Sequence, residues 1–211
     1  FYFDSRDGES RIHAVRYRPE DTEKICCVLQ VVHGMAEYAE RYEEFAEYLT
    51  ARGFVVTGDD HLGHGKSVGE KGKQGYFCEQ DPATVLVRDE HRLKKLTQEL
   101  YPHVPYVIMG HSMGSFIARN YICRYGTGID AAVIMGTGMQ PMAVLLAARL
   151  LAGIQKLFCG SRHVSKLIDK MAFGGYGRKI GNPRTPWDWL SRDEKRVDQY
   201  IADPMCGFTF T

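Results

Sequence analysis

The chain has 211 residues, with 27 Lys and Arg against 26 Asp and Glu, for a formal net charge of +1. That length supports one sizeable core, and so even a charge balance gives no ground for a nucleic-acid or strongly acidic partner. The six cysteines show no C-x-x-C spacing for zinc or redox work, and no signal-peptide pattern opens the chain. A cytoplasmic protein is the expectation.

In chain order, a hairpin turning near Asp7-Gly8 comes first, with its second strand at 12–17. An apolar strand at 25–32 runs into His33-Gly34-Met35, and a helix at 38–51 follows, with Tyr38, Tyr42, Phe45 and Leu49 on one face. Gly53 ends it. Cys26 and Cys27 are expected within the strand, pointing to opposite faces and so not bonded to each other. Next come a strand at 54–58, a long Gly- and Lys-rich loop, and a helix at 84–100. A short apolar strand at 104–109 leads to Gly110-His111-Ser112-Met113-Gly114, then a helix at 113–125 and a strand at 131–135. Alternating strands and helices predict a mainly parallel sheet with helices on both faces. From 137 onward the pattern is helical, near 142–158, 163–171 and 191–201, with Gly and Pro marking a looped stretch between 173 and 188. Residues 131–148 carry no charge, but Gly136 to Pro141 divide them, so a strand and a helix fit better than a membrane span. The 142–158 helix has only a narrow polar stripe through Arg149 and Lys156. It either packs into a core or presents a lipid-facing lid.

The chemistry lies in three motifs. Residues 110–114 spell G-x-S-x-G. By composition the bare pattern recurs by chance in roughly one chain of this length in fifteen, so its weight comes from the strand before it and the helix after it. A serine on such a turn is held out of the sheet beside the positive end of a helix, and Gly110 and Gly114 relieve crowding at the turn. Acyl transfer needs fixed N–H donors for a developing oxyanion; the expected donors are the backbone N–H groups of Met113 and Met35, the latter on the loop begun by His33 and Gly34. The third motif, Asp59-Asp60-His61-Leu62-Gly63-His64-Gly65-Lys66-Ser67, invites a metal reading. With no second ligand cluster apparent, a hydrogen-bonded turn is the better expectation, and no metal or cofactor is assigned.

Together these motifs resemble the α/β-hydrolase superfamily, and within it the monoacylglycerol lipase and lysophospholipase branch, sometimes grouped with serine aminopeptidases. His33, Gly34, Glu37, Arg41, Tyr42, Asp60, His61, Gly63, His64, Gly65, Ser67 and Gly110 to Gly114 follow that pattern in order. Ser115 stands where the branch often has a third glycine. The resemblance implies an α/β-hydrolase core over 1–136 and a helical lid over 137–211. It also implies Ser112 as nucleophile, with His33, Gly34, Gly110, His111 and Gly114 supporting it. The triad order would place an acid and a histidine after Ser112, each following a strand. His163, the single later histidine, follows no strand and reads as a lid residue. The acid and base are therefore expected beyond residue 211, with the last strands of the sheet, and this segment alone is expected to be inactive.

The reading is a serine hydrolase cleaving a lipid-like ester through an acyl-enzyme, with Leu145, Leu146, Leu150 and Leu151 lining a path for the acyl chain. The lid would make transient contact with a membrane surface. The alternatives are an aminopeptidase, a small-molecule carboxylesterase, or a non-catalytic binder of a hydrophobic ligand. A dehalogenase or epoxide hydrolase is disfavoured, because those use an aspartate where Ser112 stands. Acyl length, head group and oligomeric state are left open.

Overall fold

The computed structural model describes residues 1–70 and 72–211; Lys71, in the Gly- and Lys-rich loop, lies outside them. Two compact units are present, residues 1–73 with 77–138, and residues 74–76 with 139–211.

The first unit is built on six strands: Tyr2–Asp4 (β1), Arg11–Tyr17 (β2), Cys27–Val32 (β3), Phe54–Asp59 (β4), Tyr106–His111 (β5) and Ala131–Met135 (β6). They lie in the order β1-β2-β4-β3-β5-β6. The two pairings that involve β2 are antiparallel, and β4, β3, β5 and β6 run parallel. All six residues of β3 are buried, as a parallel strand covered on both faces requires. Successive side chains alternate between two cores. Val32 and Ile108 join Leu86, Leu93, Ile117 and Tyr121 of helices Pro82–Leu100 (α2) and Met113–Tyr125 (α3). Leu29, Val31 and Met109 join Ala46 of Glu43–Thr50 (α1) on the other side.

Local physics sets the element ends. The strand expected at 25–32 starts at Cys27, and Cys26 is exposed outside it, its N–H bonded to Gly53 O at 2.9 Å. Both cysteines are free. The strand expected at 104–109 is displaced to Tyr106–His111, because Pro105 has no N–H to give a ladder and the Tyr106 N–H is taken at 2.6 Å by the Asp130 carboxylate. The helix expected at 38–51 begins as a 3-10 turn over Ala39–Tyr42. There the Asp60 carboxylate takes the Ala39 N–H at 2.8 Å. The shift turns Ala46 inward and leaves Phe45, expected on the packed face, 39% exposed.

The second unit holds helices Met142–Cys159 (α4), Lys166–Phe173 (α5) and Glu194–Ala202 (α6). Ser165 caps α5 and Asp193 caps α6 through their side-chain oxygens, which places both starts three residues later than expected. Tyr176, Trp187, Trp189 and Tyr200 stack edge to edge or tilted, and Arg184 pairs with Asp198 at 2.7 Å. The Thr211 N–H returns to Gly75 O at 3.1 Å.

Ile108 is fully buried at the middle of β5. Truncation by Ile108→Ala in the full-length chain is expected to cost ~2–5 kcal/mol in urea unfolding, with the slope of the transition unchanged. A loss under 1 kcal/mol would contradict this placement of the core.

Candidate active site

Strand β5 ends at His111 and α3 starts at Met113, so Ser112 alone makes the turn. Its backbone sits at φ 52°, ψ −117°, a conformation that costs a non-glycine residue on the order of 1–3 kcal/mol and persists only where the surroundings impose it. They do so here. The Ser112 N–H is held by Met135 O of β6 at 3.0 Å. Across the turn a Cβ on Gly114 would overlap the carbonyl oxygens of Val32 and His33, so α3 can approach β3 this closely only with glycine there. Because β5 lies between β3 and β6, Ser112 stands at the carboxyl end of a parallel strand paired on both sides. Its hydroxyl bonds to no described residue. Met113 is the first helical residue, so its N–H has no acceptor within α3.

The segment from His33 to Glu37 lies against this turn. A Cβ placed on Gly34 would come within 3.3 Å of the Ser112 Cβ and 2.6 Å of Glu37 Oε1. Side chains hold the segment's backbone. Glu37 Oε1 accepts the Gly34 N–H at 2.6 Å, and His33 Nδ1 donates to Gly34 O at 2.7 Å. The Ala36 N–H reaches His64 Nε2 at 3.3 Å, with Ala36 at φ 53°. Between these engaged groups, the Met35 N–H bonds to no described residue. The Met35 N–H is therefore left without an acceptor among the described residues, between two engaged neighbours.

These bonds fix the histidines. His33 Nε2 accepts the His61 N–H at 3.1 Å, so its proton is on Nδ1. His64 Nδ1 faces Leu62 O at 2.9 Å while its Nε2 accepts from Ala36. Burial, then the neighbouring His61, pushes His33 well below its ordinary value and His64 down to about 3. Both stay neutral at physiological pH, which the accepting nitrogens require.

Glu37 is the hub that sequence reasoning named only as a pattern match. Besides Gly34 it binds Arg41 Nη1 at 2.7 Å, the Tyr42 hydroxyl at 3.0 Å and His111 Nδ1 at 3.3 Å. Burial alone would raise its carboxyl, but the His111 hydrogen bond and Arg41 outweigh it and hold the group below its ordinary value. The same bond to Glu37 raises His111. The Glu37–Arg41 spacing of four residues was the available signal. Asp60 ties the third motif together. Its carboxylate accepts from the Ala39 and Lys66 N–H groups, both at 2.8 Å, and meets His13 Nδ1 at 2.9 Å. In the second unit, Leu145, Leu146 and Leu150 of α4 are exposed and Leu151 is half-buried. His163 is exposed, its N–H on Gly160 O at 3.3 Å.

A model of the serine aminopeptidase S33 family matches residues 23–211. The chain belongs to that family. Among relatives of this S33 chain, a monoacylglycerol lipase of Mycolicibacterium smegmatis is 31% identical over 184 residues, 84% of this chain and 55% of that protein. A monoglyceride lipase of Rattus norvegicus is 30% identical over 189 residues, 90% of this chain and 54% of its own length. A thermostable carboxyl esterase from Bacillus coagulans superposes with a TM-score of 0.89 at 32% identity, covering 100% of this chain and 66% of that one. The fold is that of an α/β-hydrolase. This S33 chain spans about half the length of the curated relatives it matches.

The Glu37–His111 bond yields a pH expectation. His111, raised above 6.5, adds its share below that value and loses it as pH rises through the folded value. Glu37, lowered from 4.5, adds its share above that value and loses it as pH falls through the folded value. The pair is strongest between the two folded values. NMR titration of His111 is expected to show a midpoint above 6.5 that moves down in Glu37→Gln. An unmoved midpoint would show that Glu37 is not the cause.

Proposed function

We infer that this chain carries the nucleophile and oxyanion donors of a serine ester hydrolase acting on lipid-like esters of the monoacylglycerol type. The observation behind this reading is the unengaged Ser112 hydroxyl on a positive-φ turn, beside a segment in which the Met35 N–H meets no acceptor among the described residues. The similarity to monoacylglycerol lipases supports the substrate class.

In this reading, Ser112 Oγ attacks the ester carbonyl and gives up its proton to a histidine. The carbonyl oxygen becomes an oxyanion held by the Met35 and Met113 N–H groups. Collapse of the tetrahedral intermediate expels the alcohol, which takes the proton back from the histidine, and leaves an acyl-serine for water to cleave. None of the described histidines bonds to the Ser112 hydroxyl. The base and its acid partner are assigned to chain outside residues 1–211. Residues 137–211 are proposed as a lid region and residues 1–136 as the hydrolase core, with Leu145, Leu146, Leu150 and Leu151 proposed to take up the acyl chain. The resemblance in fold to a carboxyl esterase favours one second reading, a hydrolase of short esters.

The test uses the full-length protein, a fluorophosphonate probe and two substrates. Ser112→Ala is expected to abolish labelling and lower kcat by a factor on the order of 10⁶. Monooleoylglycerol is expected to exceed acetyl esters in kcat/KM. Labelling that survives Ser112→Ala would overturn the nucleophile, and a preference for acetyl esters would select the short-ester reading.

A further inference from the structure

Behind the segment from His33 to Glu37, three side chains converge in the core of the first unit. His61, Asp59 at the end of β4, and Glu90 on α2 place a nitrogen and carboxylate oxygens within 4.8 Å of one another, and all three residues are buried. Their exposures are 1%, 1% and 0%. His61 Nε2 faces the His33 carbonyl oxygen at 3.1 Å, so it carries a proton, and in the neutral ring the Nδ1 lone pair points inward. That lone pair meets Glu90 Oε1 at 3.3 Å and Asp59 Oδ1 at 3.6 Å. Both Asp59 oxygens and Glu90 Oε1 accept no hydrogen bond from any described residue. Buried acceptors facing one another without a donor are costly. Either a proton held by these groups or a cation between them has to offset that cost.

We propose that Asp59, His61 and Glu90 form a structural binding site for a divalent metal ion, with Zn²⁺ the best-matched species. Three observations favour a metal over added protons. First, 3.3 and 3.6 Å are long for charge-assisted hydrogen bonds, which run at about 2.7–2.9 Å. They match the edges of a tetrahedron whose metal–ligand bonds are about 2.0–2.2 Å. Second, the surroundings are those of metal ligands. The far nitrogen of His61 is turned to a backbone carbonyl, and the far oxygen of Glu90 is held at 2.5 Å by Gln30 Nε2, whose own oxygen is held by the Tyr106 hydroxyl. Such outer bonds fix the tautomer and aim the donors. Third, the charges balance: two carboxylates and a neutral imidazole neutralise one divalent cation. The three side chains would fill three corners of that tetrahedron and leave the fourth to a water, as in zinc sites with three protein ligands. One nitrogen and few oxygens suit zinc better than calcium or magnesium, which take six or more oxygens or retain water.

The ion would act by position, not in the reaction. It would clamp the end of β4 to α2, and through the His61 ring, stacked 3.8 Å from that of His33, steady the segment that carries Met35. The rival is protonation: burial, then Asp59, pushes the Glu90 carboxyl well above its ordinary range. Glu90→Gln separates the two, because glutamine mimics a protonated carboxyl but is a poor zinc ligand.

The experiment is metal analysis and thermal unfolding of the full-length protein, expressed with zinc and dialysed against metal-free buffer. The expected result is about one zinc per chain. Stripping with dipicolinate is expected to lower Tm by on the order of 5–10 °C, and added Zn²⁺ to restore it. Glu90→Gln is expected to retain no zinc and to have the lower Tm with or without it. Wild type without bound metal and without a Tm response to Zn²⁺ would overturn the proposal, as would a Glu90→Gln variant that matches wild type in both. Should that variant fail to fold, the wild-type stoichiometry and Tm response decide alone.

Discussion

The candidate site depends on a backbone segment that no sheet or helix supports. After β3 ends, residues 33–37 leave the ladder, and their polar groups must find partners in a buried setting or carry the cost of being unmet. Side chains supply them: Glu37 for the Gly34 N–H, His33 for the Gly34 carbonyl, His64 for the Ala36 N–H. Each partner is itself held, Glu37 by Arg41 and Tyr42, and His64 by the Leu62 carbonyl. The result is a loop whose Gly34 and Ala36 N–H groups are taken while the Met35 N–H between them is left without an acceptor among the described residues. Catalysis by preorganised dipoles needs that combination, since a donor that had to be freed or reoriented during the reaction would give back what it contributes.

Burial makes this arrangement work, and histidine is the residue that tolerates it. An imidazole can donate from one nitrogen and accept at the other, and both His33 and His64 do so while fully enclosed. A lysine or carboxylate there would bring a charge to be neutralised. Where carboxylates do enter the core, as Asp59 and Glu90, they face each other across His61, and their unmet oxygens are where a proton or a cation has to be supplied.

Much of this was legible in the chain. Val107 to Met109 with the G-x-S-x-G pentapeptide specify a strand, a turn and a helix, because the glycines mark where backbones must approach. The strands of the sheet are readable from apolar runs bounded by turn residues, within a residue or two at each end. Their ends moved where a side chain captured a backbone N–H, as Asp60 does at Ala39 and Asp130 at Tyr106, since such long-range captures leave no local signal. The same holds for Glu90. It lies in Arg88-Asp89-Glu90-His91-Arg92, a run that reads as a solvated helix face, yet α2 turns Glu90 fully inward. The metal reading of the Asp59 to Ser67 motif lacked a second ligand cluster in the sequence because Glu90, which joins Asp59 and His61, sits 31 residues after Asp59 on another element.

The account's central claim is that the unspent Met35 and Met113 N–H groups bind the developing oxyanion at Ser112. A crystal structure of the full-length protein phosphonylated by a fluorophosphonate tests it directly. The account predicts phosphorus on Ser112 Oγ, with one phosphoryl oxygen about 2.7–3.1 Å from both nitrogens and the Gly34 N–H still on Glu37. A phosphoryl oxygen held instead by Gly34, by solvent alone or by residues of the second unit would contradict it.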